Sequence, residues 1–343
     1  MSFLRALFPL CLVVIACCAV FAQESTSYYR VEGRLGSTVP PYQKSIVEGT
    51  AEPPFVYRQS VPQLRRGLQY LGMKPGHAAF GLDFLFFVIG LVGVSGLAVY
   101  TVGQSPDDGL VNAVRVQDGS PVVLLATTAA LGIFTVAAVA SYGYAKPEAI
   151  ATVTSITWIV LLLVYGNLHW ALGLSVASVG FRPLTPIFFG AAVGTSRVFL
   201  QGTHAWQKSR TVLVTAAGSI ISGIGYLLLS RHVWFAHLTP YYERDPTQAL
   251  HQNLIGNLTH PPRWHGLTLW VVLSMVAVAW AWQAWQTDGE SEPETEGRKR
   301  LTVALFAGAW LLAVAVLGKL DEIRLMMPVL VPLSLLAAGR WRP

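Results

Sequence analysis

Leu82-Asp83-Phe84-Leu85-Phe86-Phe87-Val88-Ile89-Gly90-Leu91-Val92-Gly93-Val94 runs on through Ser95-Gly96-Leu97-Ala98-Val99-Tyr100-Thr101-Val102 to Gly103, with Asp83 as its one charge. A helix needs ~17–25 mostly apolar residues to cross the hydrocarbon core of a bilayer, and this stretch has that length. Further apolar runs follow at 121–144, 150–166, 168–181, 185–200, 211–230, 266–286, 301–319 and 324–339. The expected fold class is therefore all-α: a polytopic transmembrane helix bundle of about nine or ten spans. The pair within 168–200 is short and interrupted by Gly180-Phe181-Arg182-Pro183. Such segments suit half-helices or a re-entrant pair, because irregular backbone survives at membrane depth only when protein or a cavity covers it.

The composition agrees. Apolar residues make up 53% of the 343 positions, charged residues 12%, and the mean hydropathy is +0.50. Soluble domains carry about 25% charged residues. The formal charge of +6 sits mostly in short runs at the ends of apolar segments, where it anchors helices and sets topology. No phosphate-binding Gly-rich loop and no basic stretch interleaved with aromatics is present, so nucleic acid is excluded as a partner. All three cysteines, Cys11, Cys17 and Cys18, lie in the first segment, which leaves the loops without disulfides or thiolate metal sites.

Residues 1–22 read as a signal peptide or a first transmembrane helix: Arg5 precedes an apolar core, and Val20-Phe21-Ala22 offers small-residue cleavage chemistry. Either reading puts residues 23–81 outside as one long outer loop. The transmembrane domain then covers 82–343, with an outer loop at 231–265 and an acidic inner loop at 287–300. The tail arginines Arg340 and Arg342 and the run Arg298-Lys299-Arg300 favour that orientation. More than half of the 24 Lys and Arg nevertheless fall outside, against the positive-inside tendency. That excess asks for a reason of its own.

Four groups of residues carry candidate chemistry. In the first loop, Pro54-Phe55-Val56-Tyr57-Arg58-Gln59-Ser60-Val61-Pro62 precedes Arg65 and Arg66; a stiff segment presenting guanidiniums suits a bidentate grip on phosphate or carboxylate. The plain alternative is arginines snorkelling to headgroups. At the start of the last span stands Lys319-Leu320-Asp321-Glu322-Ile323-Arg324, either a helix cap or a site at the entrance to the membrane. Glu24, Glu32, Asp83 and Glu148 are candidate general bases, with Asp83 set apart by lying where the chain enters lipid. His232, His237, His251, His260 and His265 share one loop, without helical metal-ligand spacing.

Glu24 with Tyr28 and Tyr29, Tyr57-Arg58 with Pro62, and Glu322-Ile323-Arg324 with Pro328 and Pro332 together resemble the polytopic GT-C class of glycosyltransferases. These motifs touch about a tenth of the chain, and the class more usually carries an aspartate in place of Glu24. The resemblance implies an enzyme in a bacterial inner (plasma) membrane, acting on the cell envelope. It would move a sugar from a polyprenyl-phosphate donor to an acceptor hydroxyl at the outer face. Glu24, Asp83 and Glu322 would be its catalytic acids. Tyr57, Arg58, Arg65, Arg66, Asp321 and Arg324 would hold the substrate. The implied partners are membrane lipids and the lipid-linked donor; no cofactor is implied, although a divalent metal is compatible with the chemistry. The competing reading is a transporter or flippase, which the broken segment at 168–200 favours.

Overall fold

The computed structural model describes residues 2–31, 34–35, 44–46, 48–51, 58–102, 121–143, 149–201, 205–238, 253, 255–287, 294–317 and 325–339. Among them the chain is a bundle of α-helices, and the only strands are two short ones, β1 (Arg30–Val31) and β2 (Arg34–Leu35), paired antiparallel. Six helical segments are long and apolar enough to cross a membrane: Pro9–Tyr29, Pro75–Tyr100, Leu124–Tyr142, Ser209–Trp234, Trp264–Ala284 and Gly297–Val316. Three shorter apolar helices accompany them, over Ala149–Val164, Leu168–Gly180 and Leu184–Leu200. The protein is an integral, multi-pass membrane protein.

The helices, in chain order, are α1 (Ser2–Tyr29), α2 (Ser60–Tyr70), α3 (Pro75–Val102), α4 (Pro121–Gly143), α5 (Ala149–Val164) and α6 (Leu168–Ala177). They continue as α7 (Leu184–Gln201), α8 (Ala205–Leu229), α9 (Trp264–Thr287), α10 (Glu294–Leu317) and α11 (Met327–Gly339). Two departures from the sequence reading matter. The first helix does not stop at residue 22 but runs unbroken to Tyr29, with Ser25 and Tyr29 facing inward. The second span starts at Pro75 rather than 82, because a proline at the first helical position needs no partner for its missing N–H. That places Asp83 about 12 Å along α3 instead of at its mouth.

One helix organises the bundle. Helix α5 is buried over nearly its whole length, and α3, α6 and α11 pack on it. Its contact with α3 follows Gly90, Gly93 and Gly96: a Cβ at Gly90 would stand 2.7 Å from Thr154 Oγ1, and one at Gly93 would stand 2.9 Å from Trp158 Nε1. Small residues let the backbones close up where lipid supplies no hydrophobic drive between helices. The carbonyls thereby uncovered accept hydrogen bonds from α5: Thr154 Oγ1 donates to Phe86 O at 2.9 Å, and Trp158 Nε1 to Ile89 O at 2.9 Å. The hydroxyls of Ser155 and Thr157 return to carbonyls one turn back, so these buried polar groups are satisfied as an apolar surrounding requires. Around this centre, α1 and α4 pack against α3 on one side, and the α7–α8 and α9–α10 pairs join through α7 and α10.

Cross-contacts show which turns share an end. At one end, a Cβ on Gly180 would meet Ser60 Oγ at 1.9 Å, Gly49 lies against Phe235, and Asn257 Nδ2 donates to Ala315 O at 3.1 Å. At the other end, Lys299 Nζ donates to Val164 O at 2.8 Å, near the end of α5.

Candidate functional site

The site is built from the ends of four helices. On α1, Phe21, Ser25 and Tyr29 recur every four residues and therefore lie on one face; all three are buried. Phe21 stacks on Phe87 of α3, with ring centroids 4.1 Å apart. This contact brings the last turns of α1 against the first turns of α3. Helix α4 runs back toward the same end and delivers Tyr142 in its last turn, its ring 5.7 Å from Phe21 and 5.2 Å from Tyr28.

Asp83 lies at the centre of that aromatic shell, 1% exposed. Its Oδ2 accepts from Tyr29 Oη at 2.7 Å and from Tyr142 Oη at 3.0 Å. Its Oδ1 accepts from Nη2 of Arg65, itself 3% exposed, which forms an ion pair with it. Tyr142 Oη also lies 2.8 Å from Ser25 Oγ. An ionised carboxylate only accepts, so Tyr142 gives its one proton to Asp83 and the serine hydroxyl donates to Tyr142. The Arg65 guanidinium also sits 5.8 Å from the centre of the Tyr29 ring, within cation–π range.

A charge pair this deep is expensive to desolvate and holds only when further hydrogen bonds complete it. Two phenols supply them on the carboxylate side, with the Ser25 hydroxyl behind Tyr142. Removing one partner of such a pair costs about 3–5 kcal/mol, because the other charge is left buried. The consequence is mechanical: Arg65 belongs to α2, so the pair fastens α2 to the bundle. The start of α2 is fixed a second time, where Ser60 packs on Gly180 of a turn whose Phe181 meets Phe86 of α3 edge-on, with centroids 5.4 Å apart. Pro62 falls in the first turn of α2, where proline is tolerated.

No family model, curated protein or solved structure matches this chain.

Arg66, next to Arg65, points the other way: it is exposed, its Nε donates to Tyr70 Oη at 3.1 Å, and its guanidinium lies 5.6 Å from the centre of that ring. Arg58 is half-buried in the segment leading into α2, beside Gln59, whose Nε2 donates to Ile46 O at 3.0 Å. Glu24 is exposed on the face of α1 turned from the buried Ser25. Tyr57, Asp321, Glu322 and Arg324 lie outside the described residues, as do Glu32, Glu148 and His251. The flanks of the 318–324 segment are described: Trp310 Nε1 donates to Leu325 O at 2.8 Å, and Arg182 lies 4.8 Å from the centre of the Trp310 ring. The start of α11 is thus tied to the turn between α6 and α7, the same turn that touches α2.

His232, His237, His260 and His265 are all exposed. No group of three or more His, Cys, Asp or Glu side chains suited to a metal ion is found among the described residues. Sequence reasoning left Ser25 and Tyr142 out of the site. Their signal was present but faint: each is a polar residue at the end of an apolar run where the next helix packs.

Proposed function

We propose that the protein transfers a sugar from a polyprenyl-phosphate donor to an acceptor hydroxyl, at the Asp83 end of the bundle and on the outer face of a bacterial inner membrane. The observation that carries this reading is the fastening of α2 by Arg65 and Asp83. It holds Arg58 and Arg66 at the end of the bundle, close to where a lipid-borne phosphate would lie. Their guanidiniums would take the phosphate oxygens, on which negative charge grows as the donor departs. Tyr57, Asp321 and Arg324 would complete the grip.

With both Asp83 oxygens taken by protein donors, that residue serves as a positioning group. Glu322 and Glu24 are the acids left for the base. The base takes the acceptor's proton, the hydroxyl oxygen bonds to the anomeric carbon, and the bond from that carbon to the phosphate oxygen breaks. Polyprenyl phosphate leaves as the second product. No redox partner is needed.

The test uses the full chain in nanodiscs, a panel of polyprenyl-phosphate hexoses and an acceptor lipid, reading polyprenyl phosphate release. Release that falls about 10²-fold or more in Glu322→Gln, with folding intact, supports the reading. Absence of release from every donor by the unmodified protein refutes it. A transporter is the second reading, favoured by a carboxylate, Asp83, buried within a span and paired with Arg65. Uptake of the same donors into proteoliposomes, without their cleavage, would select it.

A further inference from the structure

Helix α2 uses only part of its surface to hold the bundle. Val61 packs with Leu82 and Ala151, and Arg65 reaches Asp83. These contacts lay α2 beside the first turns of α3, at the level where the span Pro75–Tyr100 enters the bilayer. Residues four and seven apart share a helix face, so Leu64, Leu68 and Leu71 form one apolar stripe running to the C-cap. Leu68 turns inward onto the Val61 cluster. Leu64 is 47% exposed and Leu71 82%, the highest value for a large apolar side chain among the described residues.

The chain then turns sharply. The N–H of Gly72, at φ +92°, donates to Gln69 O at 2.9 Å, and that of Met73 to Leu68 O at 3.2 Å, a Schellman closure. Nothing stands within 4 Å of a Cβ placed on Gly72, so the tip of the elbow between α2 and α3 is clear of the bundle. Cations border it. No acidic residue stands between Glu52 and Asp83, while Arg66 and Lys74 are both exposed. Tyr70 holds Arg66 through its hydroxyl and its ring, and tyrosine concentrates where spans meet the headgroup layer. An exposed apolar stripe bordered by Lys and Arg is the chemistry of a helix lying in a membrane interface, and its charge complements anionic lipid.

We propose that the α2–α3 elbow docks in the headgroup layer of the bilayer that α3 spans. Leu64 and Leu71 lie among the upper acyl chains, and Arg66 and Lys74 meet the phosphates of anionic lipids. Leu71 and Lys74 take no part in the proposed sugar transfer, so the two readings fail separately.

The experiment measures depth. The full chain, with its three cysteines replaced by alanine, carries a nitroxide at Leu71→Cys or, on the polar face of α2, at Gln63→Cys. Both positions are exposed, which spares the fold. The nanodiscs contain phosphatidylcholine alone or a mixture with phosphatidylglycerol. Collision of the label with oxygen, which concentrates among acyl chains, is compared with collision with a water-soluble nickel chelate. The expected result is oxygen-dominated collision at Leu71, nickel-dominated collision at Gln63, and a deeper Leu71 label when phosphatidylglycerol is present. With Lys74→Gln added, the phosphatidylglycerol content needed for that deepening rises about fivefold, the worth of one cation near a charged surface. Nickel-dominated collision at Leu71 in both lipids overturns the proposal. Equal depth in both lipids, or a response unchanged by Lys74→Gln, overturns anionic lipid as the occupant. Dipolar broadening between Leu71 labels in nanodiscs loaded with two chains would put a second copy on the stripe and overturn it as well.

Discussion

The two ends of this bundle hold their basic residues in different ways. Around Asp83, a guanidinium is met inside the chain by a carboxylate, itself held by two phenols. At the other end, Lys299 Nζ donates to the backbone carbonyl of Val164 at 2.8 Å. A pair of opposite charges is settled by the chain and behaves as a fastener. A cation held by a backbone carbonyl meets a partial charge and behaves as an anchor. The difference separates two roles that a count of basic residues along the sequence merges.

The predictions below test that contrast, beginning with the largest effect. Asp83→Ala should cost about 3–5 kcal/mol, by leaving Arg65 buried and unanswered; unfolding in mixed micelles measures it. Gly180→Val should cost about 1–3 kcal/mol, because its side chain would overlap Ser60 and lift the start of α2. In that variant, amide exchange should quicken through α2 while α5 stays protected. Tyr142→Phe should cost about 1.5 kcal/mol, the low end for one hydrogen bond to a carboxylate, because Asp83 keeps two other donors. Lys299→Gln should have the smallest effect, about 0.5 kcal/mol, because an amide at that position still donates to the Val164 carbonyl. A fall as large as that of Asp83→Ala would erase the distinction between the ends.

Much of the fold was legible because lipid imposes a length and an apolar composition on anything that spans it. Eight of the helices lie where apolar runs at 121–144, 150–166, 168–181, 185–200, 211–230, 266–286, 301–319 and 324–339 predicted them. Helix boundaries were less legible where polar residues face inward. Gln23 to Ser27 looked like the start of a loop, yet α1 continues because Ser25 and Tyr29 share the face of Phe21 and are buried with it. Helix α2 was hidden for a similar reason. It is too short and too polar to span, and its deep contacts are few: the Arg65 charge and the Val61 side chain against Leu82 and Ala151.

The site was the least legible part. Arg65 and Asp83 were each singled out, but as separate functional groups. Eighteen residues and a turn separate them, and no spacing rule joins residues on two consecutive helices through a side-chain pair. Tyr142, 59 residues from Asp83, could be placed only by the packing of α4. The α7–α10 seam, where Ser196 and Thr302 meet across 106 residues of chain, was invisible for the same reason.

The account rests most heavily on Asp83 and Arg65 acting as one unit that fastens α2. A double-mutant cycle tests this directly, with Asp83→Ala, Arg65→Ala and the double variant unfolded under one set of conditions. The account predicts that the double variant is destabilised no more than either single variant, so that the coupling is about as large as one single effect, about 3 kcal/mol or more. Single effects that add to within ~0.5 kcal/mol would mean the two residues act independently, and the fastener would not exist.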